Sequence, residues 1–206
     1  PIALGFLLLL VFGYNGPGGW LLRETAGIRL VFTTAGVTLA AYLAGLPLVV
    51  KPVASGSSIG VSIVHTPEEL RRALTDALAL GGRTVLEEYV KGRELQVGIL
   101  EDKALPAIEI IPKQGFYDYE NKYQPGAAEE VCPADISPET EAKLRSAAVR
   151  VYETLGLSVY SRADFILDGA GEIWFLEINT LPGMTPTSLV PQEAAQVGLS
   201  YGDLCQ

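Results

Sequence analysis

Four polar side chains near the end of the chain have the types and spacing of a metal-binding site. Arg162 and Asp164 lie two residues apart in one run of strand-forming residues, and Glu177 and Asn179 lie two residues apart in the next. Residues two apart point to the same face of a strand. Carboxylate and amide oxygens beside an arginine suit a hard divalent cation such as magnesium, which usually shares its ligands with substrate phosphates.

The two runs are predicted to form a β-hairpin around the glycine-rich loop 168–171. If the two ends of this loop pair, Asp164 lies opposite Phe175 and Arg162 lies opposite Glu177, with the polar residues on one face. The other face is then apolar and comprises Ala163, Phe165, Leu167, Trp174, Leu176 and Ile178. A salt-bridged, solvent-exposed face explains the same pattern, and a one-residue slip would split the polar group.

The segment 179–188 contains too many turn and hydroxyl residues to continue the second strand. It is predicted to be a loop at the site, where backbone N–H groups near Gly183 are free to face an anion. This loop favours a ligand site over a plain salt-bridged surface.

The composition indicates a globular protein that acts on small molecules. The chain has 206 residues, of which 49% are hydrophobic, which is enough for a packed core in one large or two small domains. The net charge of −9 argues against a nucleic-acid partner, which would require a basic face. The only cysteines, Cys132 and Cys205, lack metal spacing and favour a reducing cytoplasm.

Residues 1–46 are predicted to begin with a buried strand at 2–12, a glycine-rich loop at 13–19 and a short helix. The strand is too short to cross a membrane and lacks the basic start of a secretory signal, so no membrane partner is expected. The loop lacks the known phosphate-binding spacings, so a structural turn is favoured.

A second candidate site lies in a predicted hairpin at 48–64. Its first strand ends near Lys51, and its tip is rich in glycine and serine, including Ser57 and Ser58. Such a tip offers N–H and O–H donors to phosphate oxygens, with the lysine as a point charge at its base. A plain flexible surface loop remains an alternative.

The remaining elements are predicted to pack around these sites. Helices are expected at 66–82, 137–156 and 189–198, with another beginning at Ser200, and strands at 84–90, 94–100 and 104–111. The segment 112–134 is predicted to be a long loop whose aromatic residues and Lys122 suggest a closing lid. Glu87 and Glu94 either bind ribose and adenine edges or face water, and periodicity does not decide between these.

Five blocks of the sequence, taken in order, resemble the D-alanine–D-alanine ligases of the ATP-grasp superfamily. The blocks are Lys51-Pro52, the Ser/Gly tip, 117–123 (YDYENKY), 162–164 (RAD) and 177–185 (EINTLPGMT). The resemblance covers 47–206 and implies an α/β (α+β) fold, the ATP-grasp fold, with mixed antiparallel sheets flanked by helices. It divides the chain into an N-terminal remnant with a residual strand-loop-helix unit at 1–46, a central subdomain at 47–94 and a catalytic subdomain at 95–206.

The resemblance also implies the ligands. The cofactors would be ATP and two magnesium ions, with manganese as an alternative, and the metal ligands would be Asp164, Glu177 and Asn179. The nucleotide would contact Lys51, Ser57, Ser58, Glu87, Glu88, Val90, Glu94 and Lys122.

Catalytic roles follow from the same resemblance. Arg162 and the Gly183 amide would stabilise the tetrahedral intermediate, and Lys122 would reach the γ-phosphate. Ser188 and Leu189 would hold the carboxylate of the second alanine. Ser57 and Tyr123 complete the implied catalytic set, and Tyr123 resembles the residue of alanine-preferring members.

The resemblance therefore implies ATP-dependent ligation of two D-alanine molecules through an acyl phosphate, for peptidoglycan precursors, by a cytoplasmic homodimer. A D-alanine–D-lactate ligase or another ATP-grasp carboxylate–amine ligase is the alternative among enzymes. A non-catalytic nucleotide-binding fragment is the alternative outside them. Two family features, an acidic residue of the N-terminal domain and a further ATP-binding lysine, cannot be placed in this sequence.

Overall fold

The computed structural model describes residues 47–53, 58–81, 83–112 and 128–205. The chain divides into two compact units, Pro1–Tyr89 and Val90–Gln206. The elements predicted within residues 1–46, the residue Ser57, and residues 113–127 of the proposed lid, which include Lys122 and Tyr123, lie outside the described residues.

The described part of the first unit is a three-stranded antiparallel sheet covered by one helix. Strand β1 (Leu48–Pro52) lies between β2 (Ser62–Val64) and β3 (Thr84–Glu88), and α1 spans Pro67–Gly81. Apolar residues at helical spacing form its core with the sheet: Leu70, Ala73, Leu74 and Ala77 pack with Val50 and Val64.

The predicted capping box at the start of α1 is confirmed. The Glu69 N–H donates to the Thr66 hydroxyl at 3.2 Å, and the Thr66 N–H donates to the Glu69 carboxylate at 3.3 Å.

The second unit contains a larger antiparallel sheet. Its strands are β4 (Gly92–Leu100), β5 (Lys103–Ala104), β6 (Ile108–Pro112), β7 (Ala128–Val131), β8 (Tyr160–Asp168) and β9 (Ile173–Asn179). In the described residues the order is β7-β6-β4-β8-β9, with β5 paired to the end of β4. Strand β4 is the central strand, and β8 separates it from β9.

One face of this sheet is covered by α2 (Pro138–Thr154). Buried residues of α2, namely Leu144, Ala148 and Tyr152, pack with alternate residues of β4 and β8, namely Leu95, Val97, Ile99, Ala163, Phe165 and Leu167. Because side chains alternate along a strand, the intervening residues of β4 and β8 point to the opposite face. Helices α3 (Leu189–Gln196) and α4 (Tyr201–Leu204) follow the sheet.

The prediction of a loop throughout 112–134 is wrong for one segment near its end. Residues 128–131 form β7, an edge strand that pairs with β6. Its two central residues, Glu129 and Glu130, are exposed. An edge strand without apolar alternation gives no strand signal in a sequence, although it satisfies the backbone of its neighbour.

The predicted architecture of antiparallel sheets with flanking helices is confirmed in the described residues. No helix in the described residues is long and apolar enough to span a membrane.

Replacing Ser137 with alanine is expected to lower the free energy of unfolding by about 1 kcal/mol. The Ser137 hydroxyl accepts the Thr140 N–H at 3.1 Å at the start of α2, and this donor would lose its partner. Urea unfolding followed by circular dichroism measures the effect. Ser146→Ala is the matched control, because Ser146 is exposed in the middle of the same helix, and equal losses in both variants would contradict the assigned cap.

Candidate active site

The pairing of β8 with β9 places the four predicted polar residues on one face. Asp164 lies opposite Glu177, and Arg162 lies opposite Asn179. The predicted pairs, Asp164 with Phe175 and Arg162 with Glu177, are therefore wrong, although the predicted common face is right.

Two separate shifts explain the error in register. The turn is one residue longer than predicted, because Asp168 pairs with Glu172 through an N–H to carbonyl hydrogen bond of 3.0 Å. The Asp168 carboxylate stabilises this longer turn by accepting the Ala170 and Glu172 N–H groups at 2.8 and 2.9 Å. The pairing then shifts by one further residue at an irregularity beside Asp164 and Phe165, where Leu176 has no opposite partner.

Between the turn and this bulge, the residues of β9 on the apolar face differ from those predicted. Phe175 lies opposite Phe165, with ring centroids 5.7 Å apart in an edge-to-face arrangement. Trp174 therefore lies on the polar face, where its indole N–H donates to Asp168 at 2.9 Å. Leu176, predicted on the apolar face, occupies the bulge.

Arg162 and Asp164 form a buried ion pair. The Arg162 Nε and Nη2 groups donate to the two Asp164 carboxylate oxygens at 2.8 and 2.9 Å, and the side chains are 16% and 5% exposed. Burial acts to lower the pKa of Arg162, but the hydrogen bond to Asp164 and the charges of Asp164, Glu193 and Glu177 outweigh it and raise this pKa. The alternative interpretation of this face was a salt-bridged surface exposed to solvent. The salt bridge is present, but it is buried.

The other two polar residues of this face make fewer contacts. The Glu177 side chain is exposed and makes no hydrogen bond with the described residues, and the Asn179 side-chain oxygen accepts the Leu181 N–H at 3.0 Å. Carboxylate and amide oxygens each have two lone pairs, so one hydrogen bond to such an oxygen does not prevent it from also binding a cation.

The oxygen donors of this face suit a hard cation whose remaining ligands come from substrate phosphates and water. Within the described residues no group of three His, Cys, Asp or Glu side chains is placed to hold a metal. The predicted set has two carboxylates and an asparagine, and such an all-oxygen set suits magnesium or manganese when substrate phosphates and water supply the remaining ligands.

Strand β4 adds residues to the same face. Glu94, Gln96 and Gly98 lie opposite Ile166, Asp164 and Arg162 of β8. The Gln96 side chain is 1% exposed, and its amide oxygen has no hydrogen-bond partner among the described residues. Sequence analysis proposed Glu94 but missed Gln96, although the alternation of β4 places both on one face.

Glu193 is a second residue that the sequence analysis missed. It lies in α3 between the buried residues Val190 and Ala194, and it is itself fully buried. Its two carboxylate oxygens accept the Gly98 N–H at 3.0 and 3.1 Å. Burial raises the pKa of Glu193 well above its usual value, although the Gly98 hydrogen bond and the Arg162 charge act to lower it. The sequence feature that could have revealed Glu193 is a carboxylate on the apolar face of a short helix.

The loop after β9 is held by local hydrogen bonds. Ser188 accepts the Thr185 N–H through its hydroxyl oxygen at 3.0 Å, and the Tyr201 hydroxyl donates to the Met184 carbonyl at 2.8 Å. A Cβ added to the exposed Gly183 would lie 3.0 Å from the Ser188 hydroxyl oxygen. Leu189 is half-buried at the start of α3.

In the first unit, two residues that were predicted to contact the nucleotide form an ion pair with each other. Lys51 Nζ lies 2.6 Å from a Glu87 carboxylate oxygen, across adjacent strands. Ser58 closes a turn by accepting the Val61 N–H through its carbonyl at 3.2 Å. Glu88 is exposed, and Val90 is half-buried and begins the second unit.

Comparison with known proteins identifies the family. The profile of the family described as "D-ala D-ala ligase C-terminus" matches residues 36–206. The chain belongs to this family. The D-alanine--D-alanine ligase of Desulfotalea psychrophila is 48% identical over 166 residues, which cover 78% of this chain and 52% of that protein. The D-alanine--D-alanine ligase of Geobacter sulfurreducens is 40% identical over 220 residues, which cover 98% of this chain and 70% of that protein.

Solved structures of the D-alanine ligases share the fold. The Bacillus anthracis D-alanine--D-alanine ligase complexed with ATP matches with a TM-score of 0.66 and 35% identity, over 78% of this chain and 51% of that one. The VanG D-Ala:D-Ser ligase of Enterococcus faecalis matches with a TM-score of 0.72 and 33% identity, over 84% and 52%. This chain therefore spans about half the length of several relatives that it matches, and the polar face of β8 and β9 lies inside the segment shared with the D-Ala-D-Ala ligase family.

Replacing Gly98 with alanine is expected to lower the free energy of unfolding by about 1–3 kcal/mol, the usual cost of overpacking. The added Cβ would lie 2.5 Å from a Glu193 carboxylate oxygen. Urea unfolding of this member of the D-Ala-D-Ala ligase family measures the effect. Gly169→Ala is the control, because nothing lies within 4 Å of its Cβ position. Equal tolerance at both positions would contradict the contact between Glu193 and Gly98.

Proposed function

We propose that this protein joins two molecules of D-alanine into D-alanyl-D-alanine at the expense of ATP, for peptidoglycan precursors. Family membership supports the reaction class. The observation that carries the proposal is the shared face of β8 and β9, where a buried Arg162–Asp164 pair lies beside Glu177 and Asn179. Phosphoryl and acyl transfer require a positive group that stabilises developing negative charge and oxygen ligands that hold a metal ion. The guanidinium and the three oxygen-bearing side chains of this face are groups of these kinds.

The proposed reaction has two steps. The carboxylate of the first D-alanine attacks the γ-phosphorus of ATP, which gives an acyl phosphate and ADP. The amine of the second D-alanine then attacks the acyl carbon, the C–O bond to phosphate breaks, the amine loses a proton, and the dipeptide and phosphate leave. Positioning and electrostatic stabilisation account for most of the catalysis in such transfers.

Arg162 is proposed to stabilise the charged tetrahedral intermediate. Its Nε and Nη2 groups bind Asp164, while its Nη1 group makes no hydrogen bond with the described residues. The fork therefore has donors available for a developing oxyanion after it has oriented Asp164. The Gly183 N–H is proposed as a second donor to the same charge, because the loop around it is held in place by Ser188 and Tyr201.

Asp164, Glu177 and Asn179 are proposed to hold magnesium or manganese, and two ions are proposed in all. When bound, the metal neutralises the phosphate oxygens during transfer. Asp164 is held in position for this role by its ion pair with Arg162. Glu177 is exposed and makes no hydrogen bond with the described residues, so it can bind a cation without breaking one.

The nucleotide and acceptor contacts are proposed from the family resemblance. Lys51 and Lys122 would contact phosphates, Ser188 and Leu189 would hold the acceptor carboxylate, and Tyr123 would contribute to alanine preference. The proposed nucleotide contacts also include Ser57, Ser58, Glu87, Glu88, Val90 and Glu94. The central and catalytic ATP-grasp subdomains are proposed at 47–94 and 95–206, after a remnant of the N-terminal domain at 1–46, in a cytoplasmic homodimer.

A ligase with another acceptor is the second candidate, and the similarity to the D-Ala:D-Ser ligase VanG favours it. Competition between D-alanine, D-serine and D-lactate for the second position separates these activities. Calorimetry with ATP and magnesium, followed by a phosphate-release assay with D-alanine, separates a ligase from a nucleotide-binding fragment. Binding without D-alanine-dependent phosphate release would support the fragment.

Replacing Glu177 with glutamine is expected to reduce turnover by about a hundredfold or more, because the proposed metal loses a charged ligand. Phosphate release at saturating magnesium, measured in the complete enzyme, tests this. Glu172→Gln is the control, since Glu172 is exposed at the far end of the same hairpin. Normal activity of the Glu177 variant would show that the metal assignment is wrong.

Replacing Lys51 with glutamine is expected to weaken ATP binding roughly tenfold, the effect of losing one charge-assisted hydrogen bond. Calorimetric titration with ATP and magnesium measures it. Lys103→Gln is the control, because Lys103 is an exposed lysine of a hairpin in the second unit. Unchanged affinity in the Lys51 variant would remove Lys51 from the nucleotide site.

A further inference from the structure

Glu193 fills a gap in the sheet of the second unit. Gly98 lies opposite Arg162 on one edge of β4. On the other edge, β5 pairs with β4 at residues 99 and 100, and β6 pairs with it only up to residue 96. The Gly98 carbonyl accepts the Leu105 N–H at 2.8 Å on that edge, and the Gly98 N–H donates to Glu193. The carboxylate thus takes the place of a strand neighbour.

The hydrogen bond to Gly98 does not by itself explain a carboxylate at this position. Any acceptor of the right length could satisfy one N–H, and burying a charge is more costly than burying a neutral group. Among the described residues, Arg162 is the cation whose charge acts on Glu193, and the charge of Glu193 acts on Arg162 in return. Glu193 therefore contacts the backbone beside Arg162 and also interacts with the guanidinium.

The position of Glu193 in the chain connects this contact to the acceptor. Ser188 and Leu189 lie at the N-terminal end of α3, five and four residues before Glu193 in the sequence. Because an α-helix rises about 1.5 Å per residue, Glu193 lies only about 7 Å along the helix from these residues. Fixing Glu193 to β4 fixes the start of α3 relative to Arg162.

We propose that Glu193 is a positioning residue for the second step of the reaction: through α3 it sets the position of Ser188 and Leu189 relative to Arg162. This inference rests on the proposed function, in which those two residues hold the acceptor and Arg162 stabilises the intermediate. Formation of the acyl phosphate does not require the acceptor and is independent of this arrangement.

Glu193→Gln tests the proposal. Both Glu193 oxygens accept the same N–H, so the NH2 group of glutamine would place a donor beside the Gly98 N–H. The expected result is an acceptor KM for D-alanine about tenfold higher, the size of one lost hydrogen bond to a buried group. The affinity for ATP should not change. Hydroxylamine, a small acceptor that needs no carboxylate site, should still trap the acyl phosphate at the wild-type rate.

Glu141→Gln is the matched control. Glu141 lies in α2 and accepts the Ala107 N–H at 3.0 Å, so it is also a helix carboxylate that satisfies a backbone donor, here that of the residue just before β6. A purely structural role predicts the same behaviour for both variants. The proposal predicts that only the Glu193 variant changes the acceptor KM. Equal loss of dipeptide and hydroxamate formation in the Glu193 variant, or an unchanged acceptor KM, would overturn the proposal.

Hydrogen exchange separates failure of the proposal from failure of the proposed function. The amides of α3 and of Gly98 should exchange faster in Glu193→Gln than in wild type, and the same amides should be unchanged in Glu141→Gln. If the wild-type enzyme forms neither dipeptide nor hydroxamate, the proposed function is wrong. Unchanged exchange in α3 would show that Glu193 does not fix this helix, whatever the activity.

Discussion

The antiparallel pairing of β8 with β9 decides which charged groups meet. A shift of one residue moves every side chain of a strand to the other face. In this hairpin the longer turn at Asp168 and the bulge at Leu176 each shift the pairing by one residue. The two shifts together restore the original alternation at the far end, so Asp164 faces Glu177 and Arg162 faces Asn179. The site depends on both irregularities.

The electrostatics of the site follow from one guanidinium among several carboxylates. Arg162 binds Asp164 directly, and its pKa also responds to the charges of Glu193 and Glu177. A single positive charge does not balance three carboxylates if all are ionised. One consequence is that the charge of Asp164 adds to burial, which is the main cause, in raising the pKa of Glu193. Another is that the exposed Glu177 retains attraction for a cation, which is the property that a site for metal-bound phosphates requires.

Local signals in the sequence predicted most of the elements but not their exact pairing. The capping box at Thr66 and the N-cap at Ser137 predicted where two helices begin, because both devices act within a few residues. The common face of the four polar residues was also predictable from their spacing. The bulge and β7 were not, because neither leaves a periodic pattern. Glu193 was missed since its partner, Gly98, is distant in sequence and lacks a side chain.

The most direct measurement is anomalous diffraction from crystals grown with ADP and manganese. An anomalous peak within coordination distance of Asp164, Glu177 and Asn179 oxygens, beside the nucleotide phosphates, is the result predicted here. A nucleotide bound with manganese elsewhere, and no peak on the face shared by β8 and β9, would contradict the central claim that this hairpin holds the catalytic metal.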